Sequence, residues 1–403
     1  MYKGNNMKLT DKILNKSNSF NHYKNKSEKL EKDNKKLMEK NRKILIENKN
    51  LKSDIAFCKS KINEIEIKTD KKVIELQKRL SMYSKPEILN KLLNEQYTDL
   101  TIAIKSPNPK GHHHWGDYFF SKALKKSFEK KGFNVVIQER EDWYDDNVKA
   151  HINLVLRGVV EYKPNFDEIN IMWNISHPDM VEIEEYENYD ICFISSEKYA
   201  NLLNNNVNTA VEPLLQCTDP DVFFNEEDDS ITDEILFVGV TRGVYRDIVK
   251  DVLKTNHNVS IYGMGWEKFI DEKFIKGQFI ENTELHKYYS SCKILLNDHW
   301  EDMRDMDFPS NRLFDALACG AFVISDKISS AETLFEGNIV TYEDADDLEN
   351  KIEYYLAHEE ERKMMAKKGK ELVLKNHTFD NRMETILEAL NTLNNVDKYG
   401  NHH

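Results

Sequence analysis

The stretch 307–326, DFPSNRLFDALACGAFVISD, decides the fold. A polar turn containing Pro309 leads into a helix from Asn311. Ala316, Leu317, Ala318 and Cys319 are small or apolar, as a helix packed closely on a sheet requires. Gly320 is placed to cap its C-terminus, and AFVISD then reads as a short strand. Helix, glycine and strand in that order form the closing half of a β–α–β unit.

The same alternation extends in both directions. On the N-terminal side, DLTIAIKSP (99–107), NVVIQE, HINLVLRG, EINIMWNIS and YDICFISS are apolar, β-branched runs separated by loops and helices such as DYFFSKALKKSFEKKGF. The series pauses at 211–230, two prolines and an acidic run that read as a linker, then restarts with EILFVGV, VSIYGMG, KILLND, AFVISD and NIVTYE. From DADDLENK onward the pattern is almost wholly helical. Strands alternating with helices predict α/β architecture with parallel sheets. The expected fold is two Rossmann-like domains, 87–222 and 223–403, facing across a cleft at the carboxyl ends of their strands.

Residues 1–86 differ in kind. Leu30, Leu37, Ile44, Leu51, Cys58 and Ile65 share one heptad position, and Asn34, Asn41, Asn48, Ile55 and Ile62 share another. This a/d seam predicts a long α-helical coiled coil, with the a-position asparagines favouring a parallel homodimer through residues 27–80. At 1.5 Å per residue the helix would reach roughly 80 Å, ending at Ser84-Lys85-Pro86. Residues 1–85 hold 23 Lys and Arg against 11 Asp and Glu; the remainder holds 34 against 59. The acidic remainder argues against nucleic acid as a ligand. The basic helix is expected to be solvated, with the capacity to touch an anionic membrane face. With no apolar run long enough to span a bilayer, no secretory leader pattern and five dispersed cysteines, the chain reads as cytoplasmic, if also peripheral at the inner membrane face.

Working residues of such sheets sit in the loops after strands. In SPNPKGHHHWGDYFF, Gly111 and Gly116 permit close backbone approach, and a helix opening near Asp117 presents free N–H groups. Three adjacent histidines cannot converge on one metal, so His114 is expected in the cleft with Trp115 beneath it. His177, just past the strand INIMW, suits a general base, a hydroxyl ligand or a structural hydrogen bond. In FVGVTRGVYRD, Gly239 with Arg242 and Arg246 suits a diphosphate, though either arginine also suits a surface ion pair. Gly263 and Gly265 in YGMGW are expected to shape a nucleoside pocket. Asn311 and Arg312 bring N–H groups and a cation to one helix start, and Asp315, one turn on, suits a sugar hydroxyl pair. The Asp305-Met306-Asp307 pair reads as a coincidental metal-like motif.

Together ILFVGVTRGVYRD, VSIYGMGW, ELHKYYSSCKILLN, PSNRLFDALACGAFVISD and NHTFDNR resemble GT-B fold glycosyltransferases of the CgeB-like, group 1 kind, over about residues 234–382. The first half agrees in HWGDYFFSKALKKSFEKKGF and NIMWNISHPDMVEIEEYENYDICFISS, and the coiled coil is outside the resemblance. The resemblance implies transfer of a sugar from a nucleotide-diphosphate-sugar donor to a glycan or glycoconjugate acceptor, with no metal and no cofactor beyond that substrate. It implies that Asp307 and Asp315 occupy the places of a Glu-x7-Glu pair, Asp315 on the donor ribose and Asp307 catalytic. It puts His177 against the sugar or acceptor and brings the last helix back onto the first half. Pro309-Ser310-Asn311-Arg312 replaces the usual glycine-rich run, which leaves the retaining or inverting outcome open. Two alternatives stand beside this reading: an inactive coiled-coil structural protein, and a GT-B epimerase or phosphorylase.

Overall fold

A computed structural model of the chain describes residues 85–397, with scattered helical positions ahead of them between residues 29 and 43. Apart from those positions, the expected coiled coil, its parallel dimer and its membrane contact fall outside the described residues. Pro86 stands in the first turn of the helix Lys85–Leu93, where its missing N–H costs nothing.

Two six-stranded sheets follow. The first contains β1 (Thr101–Lys105), β2 (Asn134–Gln138), β3 (Ile152–Arg157), β4 (Ile169–Asn174), β5 (Ile191–Ile194) and β6 (Ala210–Pro213), in the order β2-β1-β3-β4-β5-β6. The second contains β7 (Ile235–Val238), β8 (Val259–Tyr262), β9 (Ile275–Gly277), β10 (Ile294–Asn297), β11 (Val323–Asp326) and β12 (Val340–Tyr342), in the order β12-β11-β10-β7-β8-β9. All pairings are parallel. Strand order reverses between β1 and β3 and again between β7 and β10. Such switch points open crevices at the carboxyl ends of the strands.

The strands form where the sequence is continuously apolar because both faces are covered. Every residue of β3 and β4 is buried, as parallel sheets sandwiched by helices demand. Two strands depart from the reading of the sequence. The first residues of the expected linker form β6, an edge strand that tolerates Pro213. β9 is three residues long, ends in a glycine and carries no period to read.

The last helix, Phe379–Asp397, leaves the second half and joins the core of the first. Phe379, Met383, Ile386, Leu387 and Leu390 are buried there with Leu89, Phe120 and Leu124. Phe120 meets Phe379 edge to face, ring centroids 4.7 Å apart. Among the described residues no helix is long and apolar enough to cross a membrane. Phe379→Ala, which empties this contact, is expected to cost about 3–5 kcal/mol of stability. Thermal unfolding should show the loss as a lowered first transition.

Candidate functional site

Gly239 directly follows β7 at the carboxyl edge of the second sheet. Its N–H donates to Tyr262 O at 2.8 Å, and Thr241 N–H donates to Met264 O at 3.2 Å, lacing the loops after β7 and β8 together. The approach is close enough that a Cβ on Gly263, at φ +145°, would run into the Gly239 carbonyl. Gly265, at φ +87°, has the Thr241 hydroxyl where a side chain would go. The space above Gly239 is taken by guanidinium groups. A Cβ there would lie 2.8 Å from Arg246 Nη1 and 3.2 Å from Arg312 Nη2.

Three arginines thus meet at one turn. Arg246 is buried, paired with Asp298 and stacked over Phe237. Arg312 also faces Phe237 and donates to Asn297 Oδ1 at 2.8 Å. Arg242, in left-handed backbone at φ +60°, lies 4.3 Å over the Trp300 ring. Neither Arg242 nor Arg312 has a carboxylate partner among the described residues. Burial first, then the charge of Arg246 and Arg312, pushes Arg242 down to about 9 against the pull of Asp298. A guanidinium does not give up its proton in a protein, so the direction expresses a local shortage of negative charge. A bound anion would supply it.

The helix Asn311–Ala318 is aimed at the same turn. Its preceding residue, Ser310, makes no side-chain cap, so the first N–H groups stay available to a ligand. Ser310 N–H donates to His299 Nε2 at 3.0 Å, and Ser310 Oγ donates to Asn297 Oδ1 at 3.0 Å. Because Nε2 accepts, the His299 proton sits on Nδ1 and points to Asp326 Oδ1, 2.6 Å away. Burial opposes the Asp326 charge, yet its bonds to His299 hold that carboxyl below its usual range. Carboxylate, imidazole and serine backbone therefore fix where the helix begins.

One turn further, Asp315 is buried. Thr218 Oγ1 donates to its Oδ1 and Asn311 Nδ2 to its Oδ2, both at 2.7 Å. Asn311 Oδ1 is buried with no hydrogen-bond partner. Both residues border a cleft of about 790 Å³, whose other wall is Gly116, Tyr118, Phe119 and Lys122 of the first half. That volume suits one organic ligand of several rings. The arginines are outside its lining, since Arg312 turns from the helix start toward Gly239.

On the first half, the residues singled out in the sequence separate into two groups. His177, at φ +51°, places Nδ1 3.5 Å from Asp302 Oδ2 of the second half and meets the edge of Trp300 at 5.3 Å. Trp300 therefore joins His177 to Arg242. The loop after β1 goes elsewhere. Gly111, at φ +78°, donates its N–H to Glu139 Oε2, and His113 sits on the same carboxylate. His114 is exposed and its ring meets His112 at 5.5 Å. Trp115 is half-buried just ahead of the helix Gly116–Lys131. In that helix's first turn, burial pushes Asp117 up to about 6.

Asp307 does not share the cleft of Asp315. Its Oδ1 accepts from Ser330 N–H at 2.9 Å and Ser330 Oγ at 3.1 Å, tying down the loop after β11. Asp305 is exposed, so the Asp-x-Asp pair does not converge. Among the described residues, His177, Asp179 and Asp302 are the group able to hold a metal ion, with one ligand atom each, all within 4.8 Å. Burial first, and then a hydrogen bond to the Asp179 carboxylate, push Asp302 up. The stretch NDHWED (297–302) supplies Asn297, Asp298, His299, Trp300 and Asp302 to this centre, residues that the sequence alone does not single out. Their signal is position: Asn297 ends β10, the strand at the switch point, and the others follow it into the helix Glu301–Asp305.

Burial, against the bonds from Thr218 and Asn311, pushes Asp315 up to about 8 from 3.8. An unfolded chain releases that proton near pH 4, whereas the folded one keeps it to about pH 8, so rising pH in this window favours unfolding. Asp315→Asn is expected to remove that slope. Urea midpoints taken from pH 4 to 8 should fall for the natural chain relative to the variant.

Residues 242–388 match the family model described as glycosyl transferase-like. The spore protein CgeB of Bacillus subtilis is 24% identical over 164 residues, covering 36% of this chain, and the chain spans half the length of that relative. Among solved structures, sucrose-phosphate synthase of Thermosynechococcus elongatus superposes with a TM-score of 0.56 at 14% identity, covering 73% of this chain and 99% of that one. HepE of Anabaena, solved with UDP and glucose, gives 0.52 at 10% identity, covering 72% and 99%. The chain thus has the GT-B fold, and its second half is glycosyl transferase-like in sequence.

Proposed function

We propose that the protein is a glycosyltransferase, moving a hexose-like sugar from a nucleotide-diphosphate donor to a hydroxyl of a glycan or glycoconjugate acceptor. Its setting would be glycan, cell-surface polysaccharide or glycoconjugate synthesis. One observation carries the reading: two arginines without carboxylate partners, Arg242 and Arg312, meet an uncapped helix N-terminus at the switch point of the second sheet. Fixed cations and N–H dipoles at one spot suit the charge that grows on a departing diphosphate. HepE, the similar structure solved with UDP and glucose, makes UDP the first nucleotide to try.

In this reading the diphosphate lies between Arg242, Arg312 and the N–H groups of the helix Asn311–Ala318. Arg246, neutralised by Asp298, packs the floor beneath it. Asp315 and the unpaired Oδ1 of Asn311 take hydroxyl donors of the nucleotide ribose. The glycosidic C–O bond to the diphosphate breaks as the acceptor oxygen bonds to the anomeric carbon. His177, steadied by Asp302, receives the acceptor's proton. The reaction proceeds without a bound metal, since the guanidinium groups supply the positive charge.

Arg312→Ala is expected to abolish transfer and to weaken UDP binding about ten- to hundredfold with unfolding unchanged. Calorimetry with UDP and a transfer assay over a panel of nucleotide sugars read both; unaltered binding and turnover in that variant would sink the assignment. Turnover should survive exhaustive chelation. Its loss, with recovery on adding a divalent ion, would move catalysis to a metal held by His177, Asp179 and Asp302.

A further inference from the structure

A second pocket lies on the first half, apart from the cleft, and none of the roles assigned above uses it. It encloses about 250 Å³ between the sheet and the loops after β2 and β3. That is under the roughly 300–1,000 Å³ of sites for drug-sized ligands, and fits a single small ring. Its inner end is unusually polar for the middle of a sheet. Lys105 is buried at 4% exposure, with Nζ donating to Gln138 Oε1 at 2.6 Å and to Trp143 O at 2.7 Å. Asn153 is buried at 1% exposure and donates through Nδ2 to Glu168 and Asn170, while its Oδ1 has no hydrogen-bond partner.

A buried acceptor without a donor costs about 1–3 kcal/mol. Asn153 borders the pocket with this oxygen closed off just behind the wall, so a ligand O–H or N–H that parts the wall can remove that cost. Lys105 has a third N–H beyond its two bonds. Burial pushes it down to about 8. The outer wall is aromatic. Tyr144 is 61% exposed, stacked on Tyr162 at 5.3 Å, and its hydroxyl is anchored by accepting the Lys163 N–H at 3.0 Å. A ring pinned at its hydroxyl and stacked on a second ring is a ready platform for the C–H face of a ligand.

The charges decide the ligand class. The lining holds Lys105 and Lys149 against Asp145, Asp146 and Glu168. A phosphate or a polyanion would meet more carboxylates than ammonium groups. A neutral ring rich in hydroxyls meets donors, acceptors and an aromatic face at once. We infer that this pocket binds one saccharide ring through Asn153, Lys105 and Tyr144, at a site separate from the transfer cleft. In a glycosyltransferase such a site would hold a remote residue of the acceptor glycan. That role rests on the proposed function, whereas the binding itself rests on the pocket alone.

The test is saturation-transfer NMR on the full chain with glucose, galactose, N-acetylglucosamine and their β-1,4-linked dimers, with UDP calorimetry on the same samples. At least one of these sugars should bind. Tyr144→Ala, at an exposed position, should weaken that binding at least about tenfold and leave UDP binding unchanged. Asn153→Leu should do the same if it folds, and Tyr144→Ala decides the matter if it does not. Sugar binding that ignores Tyr144→Ala overturns the inference, as does absence of sugar binding in a chain that still binds UDP. Sugar binding lost in Tyr144→Ala, in a chain that binds no UDP, supports this pocket while removing the reading of the cleft.

Discussion

Thr218 is the point at which the molecule is tied. Its backbone accepts the Phe379 N–H and donates to His377 O, so the linker and the returning chain pair there. Its hydroxyl donates to Asp315. Beside it the buried Arg382 donates to the carbonyls of Leu215 and Gln216 and to His377 Nδ1. Burial, and then the neighbouring Arg382, pushes His377 down to about 4, which keeps that nitrogen an acceptor at neutral pH. The linker, the last helix and the carboxylate of the site helix thus depend on one another. Loss of any one leaves buried polar groups of the others unpaired, a cost felt in full away from water.

This arrangement explains what the sequence disclosed and what it withheld. Strands such as NLVLR and NIMWN are legible because parallel sheets covered on both faces require unbroken apolar runs. β6 and β9 are not, because a short edge strand ending in Pro213 or Gly277 carries no such requirement. In the site, Gly239, Arg242, Arg246 and Arg312 stood out because glycine and arginine beside a strand end or helix start suit an anion, although an arginine there equally suits an ion pair, and Arg246 makes one with Asp298. Asp298, His299 and Trp300 did not. Their roles come from partners brought by folding: Arg246 for Asp298, Asp326 for His299, and His177 with Arg242 for Trp300. Asp307 shows the reverse. It holds the sequence spacing to Asp315, yet its backbone at φ +63° turns its carboxylate to Ser330.

The electrostatics follow from the same placement. The first half turns its glutamates inward on its own loop, where Glu139 holds Gly111 and His113. The second half concentrates guanidinium groups at one glycine and neutralises only Arg246. Unpaired guanidinium charge is therefore gathered at one small turn of an acidic body. A multiply charged anion meets attraction at that turn.

Trp300 gives the molecule a built-in optical reporter. Its indole has a guanidinium on one face and an imidazole at its edge, one from each half. Of the chain's five tryptophans, Trp143 and Trp173 are sealed in cores, while Trp266, also buried, donates its indole N–H to Gly239 O at 2.7 Å beneath the arginines. Emission that changes when the halves part therefore arises chiefly from Trp300, and an anion at the arginines is felt by Trp300 and Trp266 together. The relative motion of the two halves can be followed without attaching a dye.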